Sequence, residues 1–180
     1  TLAFFVRFDI PDDATPGKAE ISVSISQNGA NHKLISHLTI HKTRIPPASK
    51  SAYPYTNWFN YGKMSKDHKL EKYSAEFYAT LDKYAAKMAY CRQNTFILWW
   101  DVMFDKSDDG RLVLNRERTL RIVKTFERHG VVLIEGGHCA KRHHGKWDAE
   151  SLDFNLIDKP ASDEKAMSDF KDALDRKSVV

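Results

Sequence analysis

Two apolar runs in the second half of the chain, TFILWW at 95–100 and VVLI at 131–134, show little or no alternation between apolar and polar residues. A strand that is hydrophobic at nearly every position is buried on both faces, which places it inside a parallel sheet covered by helices. The segments around these runs have helical spacing. In SAEFYATLDKYAAKMAY, Phe77, Leu81, Tyr84 and Met88 recur every three to four residues behind Ser74, a good N-cap. In NRERTLRIVKTFERHG, Asn115 opens a helix with Ile122, Val123 and Phe126 on one face and Gly130 just past its end. Ser162 is placed to cap a further helix carrying Met167, Phe170 and Leu174. With YPYTNWFNY as a short aromatic strand in front, residues 55–177 read β-α-β-α-β-α.

Such a unit closes either as an open doubly wound sheet or as a (β/α)8 barrel. A dinucleotide-binding sheet wants a Gly-rich turn straight after its first strand, and NWFNYGKMSKDHK in that place has no such fingerprint. The spacing of the units fits barrel repeats with decorated loops. The expectation is therefore an α/β chain in which residues 55–180 form the first three βα units of a (β/α)8 TIM-type barrel. Three units leave the last strand unpaired, so the remainder of the barrel is expected as a partner, from a longer chain or another subunit.

Residues 1–44 have a different rhythm. Ile21, Val23 and Ile25 alternate with Ser22, Ser24 and Ser26, the period of a half-buried strand. Asn28-Gly29 suits a tight reversal, after which Leu34, Leu38 and Ile40 line one face of a return strand. FFVRFDIP offers a third strand. These are expected to be the last antiparallel strands of a β-sandwich, joined to the barrel by a proline-containing linker at 45–54.

Nothing in the chain approaches the roughly 20 apolar residues of a membrane span. The opening TLAFFVRFDIP reads as a strand and not a signal peptide, and Thr1 reads as a cut point in a longer chain, so the compartment stays open. The formal charge is +4, but Lys and Arg are interspersed with Asp and Glu, which argues against a nucleic-acid footprint. Two cysteines, Cys91 and Cys139, make no disulfide framework.

In a barrel the pocket forms at the C-terminal ends of the strands. Those ends hold Asn57, Trp58, Asn60 and Tyr61, then Trp99, Trp100, Asp101 and Asp105, then Glu135, His138 and Arg142. Tryptophan beside Asn, Asp, Glu and His suits a sugar: the indole packs on the C–H face of the ring and the polar groups take its hydroxyls. Strand alternation turns one of the paired tryptophans inward, and Asp101 is equally placed to cap a turn. Asp101 and Glu135 as a glycosidase acid and base is a second reading of the same rim. The stretch EGGHCAKRHHG also raises a metal site, but its H-C-x-x-x-H-H spacing matches no structural zinc pattern. It lacks the lysine and helix of a phosphate loop as well.

The succession PDDATPGKAEISVSI, YTNWFNY, QNTFILWW and LIEGGHCAKR resembles the glycoside hydrolases of family 123, the β-N-acetylgalactosaminidase-like proteins, and their uncharacterised relatives. That resemblance covers nearly the whole chain, with TNWF and EGGH its most specific pieces. It implies a β-sandwich ahead of a catalytic barrel and retaining, substrate-assisted hydrolysis of a terminal N-acetylhexosamine, with no metal or organic cofactor. The substrate's acetamido group attacks, served by an adjacent Asp-Glu pair on a strand after the third helix. No such pair stands here, since Asp163-Glu164 opens a helix. No catalytic residue is carried over, and the chain alone is expected to be inactive. Asn57, Trp58, Trp100, Asp101, Glu135, His138 and Arg142 are the expected substrate-binding positions. A non-catalytic carbohydrate-binding or structural relative is the alternative, and an unrelated parallel α/β protein, a nucleotide-dependent one included, is a third.

Overall fold

A computed structural model of the chain describes residues 3–51, 53–157 and 159–177. The chain divides into two units, Thr1–Pro46 and Pro47–Val180, with the boundary between two consecutive prolines.

The first unit is a hairpin. Strand β1 (Gly17–Gln27) pairs antiparallel with β2 (Ala30–Ile40) through Gln27↔Ala30 at the turn and Gly17↔Ile40 at the open end. Asn28 and Gly29 both have positive φ, 50° and 81°, which matches the twist of a two-residue turn. Val23 opposite Leu34 and Ala19 opposite Leu38 share one face. The third strand expected over FFVRFDIP does not form: this segment carries no strand pairing, and Phe4, Phe5 and Phe8 are exposed. A strand exists only against a partner edge, and the Arg7 guanidinium here grips Asp9 two residues on (2.6 and 2.9 Å).

The second unit holds the core. In order come α1 (Tyr61–Asp67), α2 (Ala75–Tyr90), β3 (Thr95–Leu98), the single-turn α3 (Trp100–Met103), β4 (Phe104–Lys106) and β5 (Leu112–Leu114). There follow α4 (Arg116–Glu127), β6 (Leu133–Gly136), β7 (Ala140–Arg142), β8 (Leu152–Phe154) and α5 (Glu164–Lys177). Local chemistry sets the helix starts. Ser74 and Asn115 accept the N–H groups of Phe77 and Arg118 (3.1 and 3.0 Å), capping α2 and α4. Asn60 does the same for Lys63 at α1 (2.7 Å). At α5 the cap is the Asp163 carboxylate, which accepts from Ala166 (2.9 Å), and not Ser162. Phe77 and Leu81 from α2, Phe96 from β3 and Ile122 and Phe126 from α4 are fully enclosed. Phe96 stacks on Phe126 at 4.2 Å, locking strand to helix.

No barrel arc is present among the described residues, and the expectation of a partial (β/α)8 barrel is corrected. The described residues form four two-stranded sheets; β1–β2, β4–β5 and β7–β8 are antiparallel, and β3–β6 is parallel. The unit is a small mixed α/β structure with short strands. Two causes are visible. The aromatic segment expected as the first barrel strand is extended but forms no ladder, because Pro54 has no N–H to give and a side chain takes the place of a strand edge. The Asn94 carboxamide accepts the Tyr55 N–H (2.7 Å), while Tyr55 O accepts from Asn94 and Thr95 (3.2 Å each). Small antiparallel hairpins also stand where barrel repeats would run on, β4–β5 after β3 and β7–β8 after β6. The burial expected for VVLIE also fails in part: Val131 is enclosed, whereas Val132, Leu133 and Ile134 are exposed.

Candidate functional site

The parallel pair positions the site. Ile97 lies opposite Glu135 and Leu98 opposite Gly136, so Trp99 and the loop after Gly136 emerge side by side at the C-terminal ends of β3 and β6. That loop is held close. Gly137 donates its N–H to Leu98 O (2.9 Å), and its carbonyl accepts the Trp100 indole N–H (3.0 Å). A Cβ on Gly137 would lie 2.8 Å from Trp99 Cα and 2.9 Å from its ring, so only glycine fits. Asn155 fastens the next two residues, donating to His138 O from its side chain (2.6 Å) and to Cys139 O from its backbone (3.0 Å).

The segment before α1 closes on the same place. The Tyr61 hydroxyl donates to Ile97 O (2.9 Å). Burial, with the nearby Tyr73 and Asp101 charges, pushes the Tyr61 phenol far above its ordinary value, so it remains a neutral donor. Trp99 donates its indole N–H to Phe59 O (2.7 Å), which fixes the residue next to Trp58.

Four side chains meet there. The Trp58 indole N–H donates to Glu135 Oε1 (3.1 Å). Its ring stands perpendicular to His138 at 4.9 Å and to Trp99 at 6.2 Å, and His138 lies 5.9 Å from Trp99. Trp58 remains 61% exposed although its polar atom is tied down. An indole fixed at its N–H, with more than half of its surface open, is a preorganised stacking surface, and Glu135, half-buried beside it, has a second oxygen available to hydroxyls.

Of the other expected site residues, Asn57 is near this cluster in sequence and donates weakly to Tyr55 Oη and Gln93 Oε1 (3.3 Å each). Trp100 is only 6% exposed; it stacks on Phe104, packs at a tilt against Phe170 and belongs to the core. Trp99 takes the place at the rim. The chain is still extended at Trp99 and turns helical at Trp100, so the second indole swings into the interior. β3 is buried at every position, so no alternation in the sequence could show which tryptophan faces outward. Asp101 is exposed in the first turn of α3, and no contact joins it to Glu135 among the described residues. Arg142 lies on β7 and donates to Ala149 O (2.9 Å). Asn60 is a helix cap, and Asp105 pairs with Arg118 (2.7 Å).

The histidines and cysteine of the metal reading disperse. His138 joins the tryptophans, Cys139 is exposed, and His143 bonds Asp153 through Nδ1 (2.9 Å) with His144 packed on it. Among the described residues no three His, Cys, Asp or Glu side chains are grouped to hold a metal ion. No described helix is long and apolar enough to cross a membrane. Compared with known proteins, the chain matches no family model and no curated protein.

Proposed function

We propose that the rim formed by Trp58, Trp99, Glu135 and His138 binds a saccharide, and that the chain is part of a glycoside hydrolase-like protein acting on a terminal N-acetylhexosamine. The observation that carries this reading is the Trp58 indole, pinned by Glu135 yet largely open to solvent. A pyranose stacked on it would exchange water-exposed C–H surface for an indole face without having to order the side chain first. Glu135 supplies an acceptor for the sugar hydroxyls, and His138 adds a ring that both donates and accepts. The choice of N-acetylhexosamine rests on the family resemblance of TNWF and EGGH alone. Within that reading this chain contacts sugar and contributes no acid–base pair.

The test is a titration of the full chain with N-acetylgalactosamine, N-acetylglucosamine and galactose, followed by tryptophan fluorescence. Saturable quenching is expected with the N-acetylated sugars, weakened about tenfold or more in Trp58→Ala, as for a stacked aromatic anchor. Glu135→Gln should weaken it less. An absent response to all three sugars, or an equal response in Trp58→Ala, would sink the reading.

A further inference from the structure

We propose that the open groove between α2 and α4 is a second binding site, one for a small organic phosphate ester. The groove has a volume of about 810 Å³ and a floor of small or flat residues, Ala75, Ala79 and the Tyr78 ring. Its decisive feature is Arg121. The guanidinium lies 3.7 Å over the centre of the Tyr78 ring, a stack that fixes its plane and leaves its in-plane N–H donors unused. Among the described residues no acceptor and no carboxylate engages that guanidinium. Lys124, one turn further along α4, and Lys83, across the groove on α2, are likewise without an ion pair among the described residues.

The acids in the groove do not cancel these three cations. Asp82 is already committed, accepting from Arg128 and from His129 (2.8 Å each). Glu127 is the one further acid lining the groove. Glu117, one turn before Arg121, acts on Tyr78 electrostatically, but no ion pair joins it to Arg121 among the described residues. Among the residues lining the groove, with Asp82 paired to Arg128, Lys83, Arg121 and Lys124 against Glu127 leave a net charge of +2, which matches a phosphate monoester dianion. The fork of a fixed guanidinium takes two oxygens of such a group, and the two lysines add point charges. The remaining length of groove, with the exposed Ala75 and Ala79 on its floor, accommodates the organic part of the ester. This site uses none of the residues of the saccharide rim.

Phenyl phosphate and phenyl sulfate, a dianion and a monoanion of similar shape at neutral pH, are the probes for an amide and arginine-Nε NMR titration of the full chain. The expected result is saturable binding of phenyl phosphate with shifts at Tyr78, Ala79, Arg121 and Lys124, and weaker binding of phenyl sulfate. Arg121→Gln should lower the affinity about tenfold, and Arg121→Lys, which keeps charge but loses the fork, should recover only part of it. Lys124→Gln, which leaves the Tyr78 stack intact, should also weaken binding, whereas Lys146→Gln elsewhere on the surface should not. The proposal fails if phenyl phosphate does not saturate, if Lys146→Gln weakens it as much as Lys124→Gln, or if phenyl sulfate binds equally well. It fails too if only long polyanions such as heparin bind, with an affinity that Arg121→Gln leaves unchanged.

Discussion

At the scale of single residues, Gly137 and Asp105 show how much rests on side chains that are small or short. Gly137 fits because a hydrogen, and not a methyl group, faces Trp99 at a backbone-to-backbone approach. Trp99 Cα cannot swing aside as the end of a flexible side chain would, so Gly137→Ala should cost about 1–3 kcal/mol, the usual range for overpacking. Denaturant unfolding measures that loss. The same change should alter the tryptophan fluorescence of the native state, since it pushes the loop carrying His138 away from Trp99. Asp105 bears on pH. Burial raises its carboxyl, but the hydrogen bonds from Asn115 (2.9 Å) and Arg118 outweigh that, and the net effect is a pKa below the ordinary 3.8. A depressed carboxyl contributes stability above its unfolded value and loses it as pH falls through the folded one. Stability should therefore decline on acidification from about pH 4 downwards, and Asp105→Asn should flatten that decline. At neutral pH the substitution should cost about 1 kcal/mol, because it removes the partner of a nearly enclosed Arg118 from a half-open position.

Among the elements, the turn between α2 and β3 ties the second unit together. Asn94, almost fully enclosed, accepts from Tyr55 N and Thr95 Oγ1, donates to Tyr53 O (2.9 Å), and offers its own carbonyl to Val132 and Leu133. One carboxamide thus ties the 53–55 segment to β3, while the backbone of the same residue holds the start of β6. Asn94→Ala should cost about 2–3 kcal/mol, since it strands buried polar groups on both sides. Hydrogen exchange at the Tyr55 amide should accelerate more than exchange within α4. If the two change together, the coupling is global and not through this hub. Because residue 55 leads directly to Trp58, the same variant should weaken saccharide binding without touching the rim itself. Two helix caps, Ser74 and Asn115, were legible in the sequence because a cap is a contact across three residues and needs no tertiary information, whereas α5 is capped by Asp163, one residue beyond the expected Ser162. The role of Asn94 was not legible, since its partners lie 39 and 41 residues away. The three-residue strands β4, β5, β7 and β8 are also too short to show a period.

For the whole molecule, the core residues among those described lie beyond Pro47, from Phe59 to Ala173, in the second unit. A two-stranded hairpin buries too little to be stable by itself in water. Residues 47–180 expressed alone should therefore unfold cooperatively, with a midpoint within a few degrees of the full chain. Residues 1–46 alone should show no cooperative transition. Circular dichroism on the two pieces decides this, and a large loss of stability in 47–180 would show that the hairpin supports the larger unit. The barrel expectation failed at this scale for a definite reason. A run such as TFIL reports that its strand is buried, not how many strands lie beside it. β3 is enclosed at all four positions with β6 as its one ladder partner among the described residues, because helices and aromatic side chains do the covering.

Interactions spanning a few residues were decided by the sequence alone: the Asn28-Gly29 reversal, the caps of α2 and α4, and the apolar faces that those helices turn inward. Each is fixed by backbone geometry and nearest-neighbour chemistry. The tertiary structure decided which tryptophan of the pair looks outward, what replaces the missing ladder at Tyr55, and why residue 137 must lack a side chain. Those outcomes depend on atoms brought together from distant parts of the chain, and no local pattern records them.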